Sequence, residues 1–219
     1  EEDVKEMIEA CEKAGVVFME AFAYLHSPLI SSIKNALDSG VIGELSFMES
    51  IFVTPSYTPE NIRVRRETLG GSVYDLGCYC TSLMLTLFGE EPKEVRAIGN
   101  FTEQHIDDFA SAYFQFDENR RACMVSGMCS AQRGDRFFLY GTEGTIEAPV
   151  PFNAEGNLVY YIKKENDCKE VHVSTPDNYC LEVEQLGNCI LNGENPHVSH
   201  EFSLKNARIV DKILKEIGY

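Results

Sequence analysis

The spacing of apolar residues predicts alternating helices and strands in the N-terminal part of the chain. Apolar residues recur at helical spacing in residues 1–14, 28–38 and 72–88, and each of these runs ends near a glycine. Between them, residues 16–21 and 44–54 form apolar runs rich in Val, Ile and Phe, which are typical of buried strands. This part of the chain therefore predicts three helices separated by two strands.

The C-terminal part has a different pattern, in which strands come first and helices follow. Five segments are rich in Val, Ile, Phe and Tyr and favour strands: 94–101, 107–116, 121–129, 135–140 and 158–173. The sequences DENRR and GTEG between them are typical of hairpin turns. Helical spacing returns in 178–192 and 201–217. We predict an α+β fold, a mostly antiparallel open sheet with helices on one face.

Charge and composition exclude several classes of partner. The 219 residues include 35 acidic and 19 basic side chains, a formal net charge of -16 that repels nucleic acids and anionic lipid surfaces. No apolar run approaches the length of a membrane span. The eight cysteines lack the spacing of a zinc site, so we expect reduced, mostly buried thiols and no metal centre. These features predict a cytoplasmic protein that binds neither nucleic acid nor membrane.

The stretch GGSVYDLGCY, residues 70–79, contains the strongest candidate for chemistry. In a helix, Asp75 and Tyr79 are four residues apart and share one face, which makes them a candidate acid/base pair. A phenol has an ordinary pKa near ~10, so it accepts a proton at neutral pH only with help from a nearby cation or donor. Alternatively, Asp75 serves the backbone of the first helical turn and Tyr79 packs into the core. Spacing alone leaves both interpretations open.

Other chemistry-bearing residues give weaker signals. His26 precedes the predicted helix that begins at Pro28 and is either a ligand or a structural residue. Arg63 lies in a basic loop and could hold a polar substrate. Asp107 and Asp108 are adjacent on a predicted strand and point to opposite faces, so at most one faces a site. No chemistry is assigned to the remaining histidines: His105, His172, His197 and His200.

Five motifs in order carry a family resemblance over nearly the entire chain. They are EAFAYLHSP (20–28), NIR (61–63), LGGSVYDLGCY (69–79), DDFA (107–110) and YGTEGTI (140–146). Together they resemble the substrate-side domain of the Gfo/Idh/MocA family, which includes glucose-fructose oxidoreductase and inositol dehydrogenase. The resemblance implies an NAD(P)-dependent oxidoreductase that acts on a sugar, polyol or cyclic diol.

The resemblance also implies roles for particular residues. Tyr79 and Asp75 match the family's proton-transfer and substrate-binding positions beside the nicotinamide. Arg63, His26 and Tyr24 are the expected substrate contacts. Many members have His at the later position, whereas Tyr79 is similar to the glucose-fructose oxidoreductase and dihydrodiol dehydrogenase branches. The open sheet implies a homo-oligomer.

Two family motifs are absent from this sequence. It contains neither GxGxxG nor the Glu-Lys-Pro motif whose Lys would assist the phenol. We therefore expect residues 1–20 to be a remnant, the last helix and strand, of the dinucleotide-binding Rossmann domain. Residues 21–219 would form the C-terminal substrate-binding and oligomerisation domain. NAD or NADP would be bound mainly by the missing domain, with no cofactor-binding residue here, and the 219 residues alone would be inactive. The alternative is a noncatalytic ligand-binding and oligomerisation module.

Overall fold

The structure, a computed structural model, describes residues 1–219 and contains five α-helices and one eight-stranded sheet. The helices are α1 (Glu2–Ala14), α2 (Pro28–Asp38), α3 (Cys78–Phe88), α4 (Asn178–Asn192) and α5 (His200–Ile217). The strands are β1 (Leu45–Val53), β2 (Glu94–Phe101), β3 (Asp107–Gln115), β4 (Arg121–Gly127), β5 (Gly134–Gly141), β6 (Thr145–Ala148), β7 (Gly156–Lys164) and β8 (Asp167–Thr175).

The sheet is open and mostly antiparallel, as the sequence predicted. Its strand order is β2-β3-β4-β1-β5-β6-β7-β8, and only the pairing of β1 with β4 is parallel. Tight turns between successive strands produce the antiparallel pairs, and the predicted turns DENRR and GTEG join β3 to β4 and β5 to β6. Strand β1 lies in the middle of the sheet, and β2, the next strand along the chain, lies at its edge. The long connection between these two strands carries the candidate site.

Helices cover one face of the sheet. Along β1, Met48, Ser50 and Phe52 are buried and alternate with residues that are less buried, as a strand with one covered face requires. Helices α2, α3 and α5 contact this face or its edges. On the opposite face, Ile98 is 75% exposed and Tyr113 is 40% exposed. The predicted α+β class with helices on one face is therefore confirmed.

Three strand predictions need correction. Residues 16–21 form no strand: Val16 is 56% exposed and Val17 is 38% exposed, and no neighbouring strand supplies hydrogen bonds. The segment 158–173 is not one strand but the hairpin of β7 and β8, with Glu165 at the turn at φ 46. The short strand β6 after the GTEG turn was not predicted as a separate element.

The prediction for the cysteines was wrong in part. All eight are free thiols. Only Cys80 and Cys189 are buried, whereas Cys129, Cys168 and Cys180 are exposed, because they lie in a loop, on an edge strand and on a peripheral helix. The sequence showed that each cysteine has apolar neighbours along the chain, but not whether its thiol is buried in the folded protein.

None of the helices has both the length and the apolar composition needed to cross a membrane.

Candidate active site

Two glycines allow the loop after β1 to pack tightly against the start of the helix that carries Asp75 and Tyr79. The N–H of Gly71 donates to the Arg63 carbonyl at 2.9 Å, and that of Gly70 donates to the Arg65 carbonyl at 2.9 Å. Gly71 has φ +139, and a Cβ there would lie 2.0 Å from Oδ1 of Asp107. A side chain larger than hydrogen at residue 71 would therefore push this segment away from Asp107.

Asp107, on the neighbouring strand β3, fixes the first residues of this helix. Its Oδ2 accepts hydrogen bonds from the Ser72 hydroxyl and the Val73 N–H, both at 2.8 Å. The Asp107 residue is 0% exposed, and burial raises the pKa of its carboxyl despite these donors. Sequence analysis placed at most one of Asp107 and Asp108 at a site. The structure gives Asp107 the task of an N-terminal capping group supplied from another element.

The helix opens with a π-helical turn, Val73–Gly77, before α3 begins at Cys78. In this turn Asp75 binds Arg63, whose Nε lies 2.9 Å from each carboxylate oxygen. Burial raises the pKa of Asp75, and the Arg63 guanidinium opposes that rise. The hydrogen bonds of Asp75 go to Arg63 rather than to Tyr79. Besides burial, the negative charge of Asp75 is among the causes that raise the pKa of Tyr79, so the two side chains influence each other without a hydrogen bond.

Tyr79 is half-buried in a cluster of aromatic rings. Its ring centre lies 5.7 Å from that of Phe22, 5.4 Å from Phe52 and 5.6 Å from Phe152, each in an edge-on arrangement. Burial is the main cause that raises the pKa of Tyr79 to about 12, and a hydrogen bond from Asn153 acts in the opposite direction. The phenol is therefore protonated at neutral pH, and it is a weaker acid than an exposed phenol.

The structure changes the expected role of Tyr24. It is 0% exposed, and its hydroxyl lies 2.7 Å from Ser82 Oγ. Its ring lies 5.5 Å from that of Tyr79, beneath the predicted site. A side chain buried in this way supports Tyr79 from the core, so the prediction that Tyr24 contacts the substrate directly is corrected.

His26 is paired with a histidine that sequence analysis had left without a role. The Nδ1 atoms of His26 and His197 lie 3.3 Å apart, and their rings meet edge-on. Burial, and secondly His197, lower the pKa of His26 to about 4, so it is neutral at physiological pH. The structure brings Arg63 and Asp75 together and Tyr24 and Tyr79 together. It does not connect His26 to either pair.

Sequence analysis missed a second arginine–carboxylate pair near the aromatic cluster. Arg133 Nε and Nη2 lie 2.8 and 2.6 Å from the two carboxylate oxygens of Asp135. The Arg133 guanidinium carbon lies 4.9 Å from the centre of the Phe52 ring. Arg133 immediately precedes β5 and Asp135 is its second residue, so strand periodicity places the two side chains, two residues apart, on one face. That spacing was the signal available in the sequence.

One cavity lies beside the candidate site rather than at it. A cavity of 510 Å³ lies between the loop after β1 and strand β3, and its lining includes Tyr57, Arg66 and Asp108. Asp75 and Tyr79 do not line it. Both are partly exposed. The aromatic cluster packs around Tyr79, and Arg63 binds Asp75.

Comparison with known proteins identifies the family. Residues 30–147 match the GFO/IDH/MocA C-terminal domain. The chain belongs to the Gfo/Idh/MocA family. It is 31% identical to a trans-1,2-dihydrobenzene-1,2-diol dehydrogenase of Xenopus laevis over 98% of this chain and 67% of that protein. It is 26% identical to D-xylose 1-dehydrogenase (NADP+) 2 of Haloferax volcanii over 93% of this chain and 63% of that protein.

A solved structure from the Gfo/Idh/MocA family has the same fold. A 3-ketoreductase from Actinomadura kijaniata, solved with NADP and TDP-benzene, superposes with a TM-score of 0.92 at 21% identity, covering 98% of this chain and 66% of that one. The chain thus spans about two thirds of the length of these relatives. These relatives are named as two dehydrogenases and a 3-ketoreductase; the xylose dehydrogenase uses NADP+ and the ketoreductase was solved with NADP.

Proposed function

We propose that the intact protein is an NAD(P)-dependent dehydrogenase or reductase acting on a sugar, polyol or cyclic diol. The observation that carries this proposal is the pairing of Asp75 with Arg63 in the turn before Tyr79, whose phenol is protonated and half-buried among aromatic rings. The named activities of the relatives, a diol dehydrogenase and a xylose dehydrogenase, support the same range of substrates.

Tyr79 is the proposed acid/base. In the direction of reduction, its hydroxyl donates a proton to the carbonyl oxygen of the substrate; the phenol is protonated at neutral pH and so carries the proton that this step requires. In the direction of oxidation the phenol must first lose its proton, which the same burial opposes. A cation close to the hydroxyl would then be required to favour the phenolate.

Asp75 and Arg63 are the proposed groups that orient the substrate. The Arg63 Nε holds both oxygens of Asp75, so the carboxylate has a fixed direction and still carries free lone pairs. A substrate hydroxyl can donate to the carboxylate while the remaining guanidinium N–H groups donate to a second oxygen. Such fixed geometry places the reacting carbon for transfer.

The residues present fit the substrate side of a nicotinamide site. Leu69 and Tyr74 leave an exposed apolar surface in the segment that leads to Asp75. When bound, the nicotinamide accepts or supplies the hydride. We propose that residues 1–20 belong to the dinucleotide-binding domain and residues 21–219 form the substrate domain of a cytoplasmic enzyme. The 219 residues alone are expected to be inactive, and the choice between NAD and NADP stays open.

The test uses the intact protein with each nucleotide and a panel of sugars and diols, followed by the absorbance of the reduced nicotinamide. Tyr79→Phe should lower kcat by about 10²–10⁴-fold, because it removes one positioned proton donor. Tyr113→Phe, on the opposite face of the sheet, is the matched control and should keep the wild-type rate. Wild-type kcat in the Tyr79→Phe enzyme would exclude the proposed role.

A second proposal concerns the uncovered face of the sheet, which we infer pairs with a second copy of the chain. Ile98 and Tyr113 are exposed on this face, and Phe47 and Tyr140 lie on it with ring centres 5.4 Å apart. Apolar area of this kind is unfavourable in water and is typical of an interface. Ile98→Glu should shift the sedimentation coefficient toward that of a monomer. A wild-type protein that sediments as a monomer at micromolar concentration would contradict the interface.

A further inference from the structure

Arg133 has the geometry of a second substrate-binding arginine. Its Nε and Nη2 form a two-point ion pair with Asp135, whose side chain is 0% exposed. Asp135 Oδ2 also accepts the N–H of Phe152 at 3.0 Å. This carboxylate therefore ties the arginine to the segment that carries Phe152, one of the rings around Tyr79.

Part of the Arg133 guanidinium remains available to a ligand. Arginine carries five N–H donors, and the ion pair uses one from Nε and one from Nη2. Nη1 makes no hydrogen bond within the chain, and the side chain is 48% exposed. The planar group lies over the Phe52 ring, which restricts its orientation. A donor with a fixed direction that faces solvent is well suited to recognise an oxygen atom of a ligand.

The position of Arg133 relates it to the proposed acid/base. Its guanidinium carbon is 4.9 Å from the centre of the Phe52 ring, and that ring centre is 5.4 Å from that of Tyr79. Arg63 also belongs to this surface, because it binds Asp75 and its guanidinium carbon lies 5.4 Å from the Tyr57 ring. Arg133 thus lies over a ring that packs against Tyr79, and Arg63 binds Asp75, four residues before Tyr79.

Charge indicates what these two arginines recognise. Each guanidinium is already paired with a carboxylate, Arg63 with Asp75 and Arg133 with Asp135. The two pairs have no net charge, so a substrate carboxylate or phosphate gains little attraction from them. A hydroxyl group both donates and accepts, which matches a free N–H beside a carboxylate. Aromatic side chains suit the apolar face of a small ring compound.

We propose that Arg133 binds a hydroxyl oxygen of a neutral, polyhydroxylated substrate, away from the carbon that is oxidised or reduced. This proposal rests on the proposed function and adds a specificity determinant to it. Arg133 discriminates between substrates according to whether they carry a hydroxyl group away from the reacting carbon. A sugar uses the Nη1 donor, whereas a cyclic diol that has only its two vicinal hydroxyls does not.

The test compares D-xylose with trans-1,2-dihydrobenzene-1,2-diol in the intact enzyme with its nucleotide. Arg133→Lys keeps a positive charge beside Asp135 but loses the second nitrogen of the fork. We expect about a tenfold higher KM for D-xylose with kcat nearly unchanged, the loss typical of one hydrogen bond, and no change in KM for the diol. Arg136→Lys is the matched control, because Arg136 is exposed on the same strand. It should leave both KM values unchanged.

Each outcome decides the proposal. An equal loss with both substrates in Arg133→Lys means a structural role and overturns it, as does an unchanged KM for D-xylose. Arg133→Ala with Asp135→Asn repeats the comparison without a buried unpaired carboxylate. If the wild type reduces neither nucleotide with any substrate, the proposed function fails. Binding of D-xylose, followed by ligand-detected NMR, must then weaken in Arg133→Lys, and an unchanged or undetectable interaction overturns the inference as well.

Discussion

The raised pKa of Tyr79 predicts a measurable change in stability at alkaline pH. In the folded protein the pKa is about 12, above the ordinary 10.0, because burial disfavours the phenolate. The protonated phenol therefore contributes stability that is fully present below pH ~10. That contribution is lost as the pH rises toward ~12, because the unfolded chain releases the proton first. Tyr79→Phe removes this titration and leaves the ring in place.

The size of the expected change in the free energy of unfolding follows from the pKa shift of Tyr79. At about pH 11, midway between the two pKa values, the unfolded phenol is mostly ionised and the folded phenol mostly protonated, which lowers the free energy of unfolding by about 1.4 kcal/mol, half of what the full shift would cost at higher pH. Partial exposure of the ring reduces this to about 1 kcal/mol. Urea unfolding at a series of pH values from ~7 to ~11 gives the free energy of unfolding of each protein.

The stability of the wild type relative to Tyr79→Phe should be constant up to about pH 9 and then fall by about 1 kcal/mol by about pH 11. The other tyrosines are present in both proteins, so their titrations cancel in the difference. Tyr113→Phe provides the control for loss of a phenol hydroxyl outside the aromatic cluster. A stability difference between the wild type and Tyr79→Phe that stays constant from pH ~7 to ~11 would refute the claim that burial raises the pKa of this phenol.

Two further predictions concern the segments around Tyr79. Gly71→Ala should lower the free energy of unfolding by at least about 1–3 kcal/mol, because its Cβ would lie 2.0 Å from Asp107 Oδ1 at a φ of +139. The control Gly187→Ala, in α4 with nothing within 4 Å of the added Cβ, should be neutral or stabilising in the same urea measurement. Arg63→Ala should raise the pKa of Asp75 further, since it removes the charge that opposes burial, and carboxyl ¹³C NMR titration would detect it. An unchanged Asp75 titration would show that the ion pair is not maintained in solution.

Local patterns in the sequence predicted most of the elements. Helix α2 begins at Pro28 after the Ser27 cap, whose side chain accepts from the Leu29 N–H, and it was predicted with the observed bounds. Alternating residues and tight turns predicted β2 to β5. These signals depend on neighbours within a few residues along the chain, so they can be recognised without knowledge of the fold. The prediction of a strand at residues 16–21 was wrong, because a strand also needs a neighbouring strand to pair with, and local apolar character does not guarantee one.

The candidate site was likewise predicted in part from local patterns, while its contacts were decided by the tertiary structure. Sequence spacing selected Asp75 and Tyr79 and placed Arg63 in a loop nearby. It did not reveal that Arg63 binds Asp75, that Tyr24 is buried beneath Tyr79, or that His26 pairs with His197. These contacts join residues from 12 to 171 positions apart. No local period encodes such a distance.

The sequence by itself determined the order of the elements, the α+β class and the residue types available for proton transfer. Only the tertiary structure decided which charges are compensated and which phenols have a raised pKa. Burial and ion pairing depend on atoms brought together from distant segments, as where Asp107 of β3 fixes the helix start at Ser72 and Val73. The pKa of Tyr79 and the free donor of Arg133 are therefore properties of the packed sheet and helices, not of the residues in isolation.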